Sequence, residues 1–323
     1  MSSFCRHGTL TESCPICRVN AENDHRLAAQ RAARPATQRR ATGGPRSRAL
    51  AGARSGTLTI RREARSADDG FRSALAPGLR STADAERLAE ELGRASGRLA
   101  ALASEPPGLY AEVASEPDIE EASWLGLLIA YVGPLDGVED PFATIRAVRT
   151  SWRSGELPDL AEAQLGPRSP HTPERGDTAL VAYRRWAERA GSQAAAFNAD
   201  PNWTAGQRFE RAFERLTLPG LDRRTRYDLL AVLGALGRYE LAAPSLLLSE
   251  DDPVTRAAKR VFGIGDRLTL ERRTHELAQA AGVTIAAFDL ALDNWAAAEP
   301  TALGVGDADD ESVRASVAAA LGC

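Results

Sequence analysis

From residue 66 to the end of the chain, apolar positions return every three or four residues, and no stretch sustains the alternation of a strand. That spacing predicts an all-α fold. Leu88, Leu92, Leu99 and Leu102 share one helical face behind the capping residues Ser81 and Asp84, with Gly93 and Gly97 weakening the middle of the helix. Ile119 to Val132 is apolar nearly all round, which predicts a buried helix stopped by Gly133 and Pro134. Pro141 opens a short helix through Val148, and the proline-rich interval from Gly155 to Asp177 predicts a long loop carrying His171, which reads as an ordinary surface histidine. Thr178 to Ala196 reads as one long helix with Tyr183, Trp186 and Ala190 on a face. Trp203 and Thr204 then cap the helix of Phe209, Phe213 and Leu216. Leu268 to Ala281 and Thr284 to Trp295 give two more helices, and Ile285, Phe288, Leu292 and Trp295 recur at core spacing rather than as a base-stacking platform.

Four regions follow: residues 1–20, a basic linker over 21–65, a helical domain over 66–298, and an acidic tail over 299–323 with one short amphipathic helix. Between Arg18 and Arg65 the chain alternates Arg, Ala, Gly, Pro, Thr and Ser with scarcely an apolar cluster, so it is expected to stay disordered. Its arginines suit a nucleic-acid tether that releases counterions, or equally a solvated spacer. With 43% hydrophobic residues the chain has enough apolar content for a sizeable core, yet no apolar run approaches the ~20 residues of a membrane span. There is no signal-like segment, and a cytoplasmic, nucleoid-associated protein is expected, with no membrane partner.

The formal net charge of −4 conceals an arginine-rich stretch from Arg18 to Arg72 and an acidic one from Ala297 to Cys323, and Lys259 is the single lysine among 40 basic residues. Within the first twenty residues, Cys5, His7, Cys14 and Cys17 form a C-x-H-G-x5-C-P-x-C pattern whose spacing fits one tetrahedral, structural Zn²⁺. Four protein ligands leave no open position on such a metal, so its expected role is a small zinc knuckle that contacts nucleic acid or a partner. Cys323 reads as a plain free thiol.

The densest chemistry lies between Leu218 and Asp266. Leu218-Pro219-Gly220-Leu221-Asp222 separates two helical patterns, Phe209 to Leu216 and Arg223 to Leu236, which reads as a helix-hairpin-helix. Gly220 and the following helix start would aim backbone N–H groups at a phosphate, with Arg223, Arg224, Thr225 and Arg226 beside it. Shortly after, Asp251 and Asp252 precede Pro253 where a helix should begin, so they serve either as a helix cap or as a catalytic carboxylate pair.

The stretches FERLTLPGLDRRTRYDLL, DDPVTRAAKRVFGIGDRLTLERR and AAFDLALDNW resemble the helix-hairpin-helix DNA glycosylase superfamily, and more closely the alpha-glutamyl/putrescinyl thymine pyrophosphorylase families, in particular their bacterial third clade. The N-terminal cysteine-histidine pattern is similar to zinc motifs fused to that clade. The core of the resemblance covers about residues 200 to 295. It implies that an amine, an amino acid or a polyamine, displaces pyrophosphate from an activated hydroxymethyl-pyrimidine extruded from DNA. In that reading Asp252, with Asp251, accepts the proton of the attacking ammonium, while Lys259, Arg256 and Arg260 steady the departing pyrophosphate. Two positions depart from the pattern. Asp222 stands where a second hairpin glycine is usual. Arg224 stands where bifunctional glycosylases carry a Schiff-base lysine, and a guanidinium cannot form that imine. A monofunctional glycosylase or a non-catalytic DNA-binding protein remain the alternatives.

Overall fold

The computed structural model describes residues 66–198, 200–249, 252–263, 265–297 and 300–323. The zinc motif Cys5, His7, Cys14 and Cys17, the basic linker and Asp251 therefore lie outside the described residues. Within the described residues every regular element is a helix and none is a strand: α1 (Thr82–Ser104), α2 (Leu109–Ser115), α3 (Ile119–Val132), α4 (Ala143–Val148), α5 (Thr178–Ala190), α6 (Gln193–Asn198), α7 (Ala205–Arg215), α8 (Arg223–Ala235), α9 (Pro253–Phe262), α10 (Arg267–Ala281), α11 (Ile285–Ala296) and α12 (Glu311–Leu321). The all-α expectation holds there. No described helix is long and apolar enough to cross a membrane.

Short polar side chains start most of these helices. Asp118, Asp222, Asp252, Asp266, Thr284 and Asp310 each accept a hydrogen bond from a first-turn amide of the helix that follows. Thr204 and Gln207 close a reciprocal capping box at α7. Ser81 precedes α1 without making such a bond.

The buried apolar side chains fall into two clusters. One gathers α2, α3 and α5 to α8 around Trp124, Tyr131, Tyr183, Trp186, Phe197, Phe209 and Tyr239. The other joins α1 to α9, α10, α11 and α12 through Leu88, Leu92, Val261, Phe262, Phe288 and Trp295. Leu99 of α1 touches both. The aromatics expected in the core, Phe288 and Trp295 among them, are fully buried.

Three sequence expectations change. The helix read over Thr178 to Ala196 breaks at Gly191, whose φ of +92° ends α5 in a left-handed turn. α6 then starts afresh because the Glu120 carboxylate of α3 accepts the amides of Gln193 and Ala194, each at 2.9 Å. The described part of the expected tail, 300–323, does not project: α12 packs on α1 and α10, and its Val317 and Leu321 are buried. Gly93 and Gly97 are the reason that packing is possible. A Cβ at Gly97 would stand 2.9 Å from the Ala308 backbone, and Gly93 accepts the Asp310 amide at 3.1 Å. What reads locally as a helix weakness is a close-approach surface.

Candidate functional site

Where the two apolar clusters meet, the chain places charge. Arg223, Arg224 and Asp228 lie on α8, Asp289 and Asp293 stand one turn apart on α11, Asp252 caps α9, and Arg168 enters from the proline-rich loop. Arg168 grips Asp228 with both arms of its guanidinium, Nε and Nη2, at 2.9 and 2.8 Å, and pairs through Nη1 with Asp293. Arg224 lies 3.6 Å from Asp293 and donates to the Arg168 carbonyl at 3.2 Å. Arg223 pairs with Asp289 and, at 3.4 Å, with Asp252, while its guanidinium carbon lies over the Tyr227 ring, 4.8 Å from the centroid. The side chains of Arg223, Arg168, Asp289 and Asp252 are each no more than 5% exposed, so water contributes little to their solvation.

Such burial shifts the carboxyls upward. Asp289 is pushed up to about 7 by burial, with Arg223 opposing the shift. Asp252 and Asp228 also lie above the ordinary carboxylate value because burial outweighs the pull of Arg223 and Arg168 respectively. Burial by itself would drive protons off Arg223 and Arg168; their aspartate partners instead hold both guanidiniums more firmly charged than usual.

Arg223 also fixes an irregular segment, residues 244–249, within the connection from α8 to α9. Arg223 donates to the carbonyls of Leu246 and, at 3.3 Å, Leu247; the Tyr227 hydroxyl donates to the Ser245 carbonyl at 3.1 Å. From α10, Glu271 accepts the amides of Leu246 and Leu248 at 2.8 and 3.2 Å. Ser249 donates its amide to the Thr255 hydroxyl at 3.2 Å. Side chains thus replace a secondary-structure ladder for this backbone. They hold Leu247 at a φ of +51°, uncommon for a branched residue, so that Leu247 enters the first cluster while Leu246 and Leu248 enter the second.

That segment forms one wall of a cleft of about 540 Å³, lined by Leu248, Ser249, Thr255, Lys259, Gly265, Asp266, Arg267 and Leu270. Lys259 and Arg267 are exposed cations on its rim. Asp252 stands behind Thr255: its Oδ2 accepts the Thr255 amide at 3.2 Å and lies 3.4 Å from the Thr255 hydroxyl. Asp252 and Lys259 therefore belong to one short helix, the first at its cap and the second at the cleft.

The structure does not bring the hairpin residues to this cleft as a phosphate site. Arg223 and Thr225 are buried, so neither presents its side chain at the surface; this corrects their assignment as direct nucleic-acid contacts. Arg224 is committed to Asp293 and the Arg168 carbonyl, and Arg226 donates to the Phe213 carbonyl and, at 2.7 Å, to the Thr217 hydroxyl while lying over the Phe213 ring. Gly220 has the expected positive φ of +78°, but a Cβ there would meet Ala179 of α5 at 3.1 Å, so the turn is packed against that helix. The carboxylate of Asp222 occupies the α8 N-terminus by accepting the Thr225 amide at 2.8 Å. Arg256 is exposed on α9, and Arg260 lies over the Trp295 ring at 4.5 Å. His171 sits on the long loop as expected, with its Nδ1 3.1 Å from the Tyr131 hydroxyl.

Arg168, Asp228, Glu271, Asp289 and Asp293 were missed by pattern reading. A signal existed for two of them: Asp289 and Asp293 are four residues apart inside the apolar run IAAFDLALDNWA, where an unpartnered charge would be too costly to bury. Among the described residues, no group of three or more His, Cys, Asp or Glu is placed to hold a metal ion. No family model, characterised protein or solved structure matches this chain.

Proposed function

We propose that this chain is a DNA base-modifying enzyme in which an amine displaces pyrophosphate from an activated hydroxymethyl-pyrimidine, with the cleft beside α9 as the reaction site. One observation supports it above the others: a cleft rimmed by Lys259 and Arg267 opens against Thr255, and a buried carboxylate, Asp252, stands directly behind that threonine. Rim cations suit an anionic leaving group, which they would steady as it departs. A carboxylate whose proton affinity is raised by burial suits the acceptance of a proton from an attacking ammonium. The base would have to leave the duplex to reach a cleft of this size. Arg256 and Lys259 are the exposed cations of α9 and would serve the DNA backbone.

The test is direct. The full chain is incubated with DNA bearing hydroxymethyl-pyrimidine pyrophosphate and with glutamate or putrescine, and the nucleosides are read by mass spectrometry. An amine-substituted pyrimidine is expected, lost in Lys259→Ala; free base would mean a monofunctional glycosylase, and neither product would reject both enzymatic readings.

A second reading has its own observation. Asp252 already caps α9 and pairs with Arg223, which accounts for it structurally in a non-catalytic DNA-binding protein. In that case Asp252→Asn leaves DNA retention unchanged and no turnover is found in the parent chain. The Cys5, His7, Cys14 and Cys17 set is proposed as a structural Zn²⁺ site that adds a nucleic-acid contact. Metal analysis of the full chain checks it, with one zinc per chain expected and its loss in Cys14→Ser.

A further inference from the structure

The charges of the buried seam divide unevenly. Around Arg168 the count balances, since Arg168 and Arg224 face Asp228 and Asp293. Around Arg223 it does not: one guanidinium is set between two carboxylates, Asp289 and Asp252, and no second cation reaches either of them among the described ion pairs. Two buried carboxylates sharing one cation cannot both ionise cheaply, so one of them keeps a proton.

Geometry selects which one. Asp252 Oδ2 accepts the Thr255 amide and faces Arg223, an arrangement that favours its ionised form. Asp289 is more deeply buried, takes one bond from Arg223 on Oδ1, and leaves Oδ2 with no hydrogen-bond partner, which is the atom free to carry a hydrogen. The surroundings agree from each side. α8 contributes Arg223, Tyr227 and Asp228, the last a negative charge that raises the proton affinity of Asp289. Asp252 at the start of α9 adds another. Arg168 from the loop is a cation whose charge also reaches Asp289, but its guanidinium is held bidentate by Asp228 and makes no ion pair with Asp289 among the described residues. Glu271 of α10 is turned to the Leu246 and Leu248 amides. Within α11 itself Asp293 is taken by Arg168. Arg87 of α1 and Arg260 of α9 attach at Trp295, more than one turn along α11.

We infer that Asp289 is a positioning residue for Asp252: by keeping the shared proton, Asp289 leaves the charge of Arg223 to Asp252, which stays ionised beside the cleft and able to accept a proton. The catalytic part of this rests on the reading of Asp252 as the reacting carboxylate. The proton sharing stands on the seam alone. Loss of the Asp289 proton splits Arg223 between two negative charges and leaves the group of three with a net charge of −1, so the state of Asp252 depends on a residue that touches no substrate.

Carboxyl ¹³C NMR on the full chain, labelled at aspartate, separates the two parts. One buried aspartate is expected to titrate near 7 in the parent protein, to vanish from the spectrum in Asp289→Asn, and to shift downward in Asp252→Asn, where Arg223 is left wholly to Asp289 while burial still opposes its ionisation. An Asp289 midpoint in the ordinary carboxylate range, or one that Asp252→Asn leaves unmoved, overturns the sharing. The first and third measurements do not need Asp289→Asn to fold. In the product assay, the parent enzyme should show an inflection near 7 that Asp289→Asn lacks. Retention of that inflection in Asp289→Asn overturns the positioning role, whereas a correct titration with no product from any DNA overturns the reading of Asp252 and leaves the shared proton in place.

Discussion

The two apolar clusters bury their residues by different means, and the contrast locates the site. The cluster around α3 is aromatic: Trp124, Trp152, Tyr183, Trp186 and Phe197 form a chain of ring contacts 5.2 to 6.4 Å apart, and Arg184 lies between the rings of Trp124 and Trp152 at 4.6 and 4.5 Å. The cluster around α11 is mostly aliphatic, with Phe262, Phe288 and Trp295 as its buried rings. Between the two clusters runs the arginine–aspartate seam, with its arginines on the α8 side and Asp252, Asp289 and Asp293 on the other. Apolar contacts tolerate many registers between two packed surfaces, whereas paired charges accept few. The seam therefore sets how the α9 to α11 half meets α8, and the irregular 244–249 segment and its cleft lie at that junction.

The largest expected effect comes from unbalancing the seam. Arg168→Met leaves Asp228 and Asp293 buried without their main cation, and a loss of about 3–5 kcal/mol is expected in urea unfolding. A loss below about 1 kcal/mol would mean that water reaches the seam and that the contrast is false. Leu128→Ala, fully buried in the aromatic cluster, should cost about 2–5 kcal/mol through lost contacts and a cavity.

These two regions should also part company with pH. Asp289 has its folded value raised above that of the unfolded chain, so the proton it holds stabilises the fold fully below the ordinary carboxylate range. That contribution is lost as pH rises through about 7. Unfolding midpoints of the parent chain should therefore drop between mildly acidic and mildly alkaline buffer, Leu128→Ala should follow the same curve lower down, and Asp289→Asn should show a smaller drop over that interval, with the raised Asp252 and Asp228 as its remaining source. A parallel drop in Asp289→Asn would move the titrating group elsewhere.

Smaller effects test the edges. Asp222→Ala removes the α8 cap and is expected to cost about 1 kcal/mol, which chemical denaturation would resolve. Lys259→Ala, at the exposed rim, should change stability by no more than about 0.5 kcal/mol. Besides the loss of product, DNA retention measured by filter binding across a salt series is expected to be weaker and less salt-dependent. Equal retention by the variant would remove the cleft from the DNA-facing surface.

Much of the helical outline was legible because amphipathic spacing and cap chemistry are local properties. Ile119 to Val132 matches α3, Pro253 opens α9 behind Asp252, and Thr204, Asp222, Asp266 and Thr284 cap helices in ways their side chains favour. Asp252 and Lys259 stood out in the same way, one for its cap position and one for its rarity. Arg223 misled for a reason of the same kind: an arginine next to a glycine turn has the same local signature whether it faces a phosphate or a buried aspartate sixty-six residues away.

By themselves, the residues determined which segments are helices, where most of them begin, and that the described part carries no strand; these depend on neighbours within a few positions and on backbone geometry. Only the tertiary structure decided that Gly93 and Gly97 admit the C-terminal segment, that Arg168 from a proline-rich loop joins α8 to α11, and that Asp289 and Asp252 share one cation. The physical reason is range. A charge can be buried where its partner is, and here most partners lie dozens of residues away along the chain, beyond anything a helical period or a cap encodes.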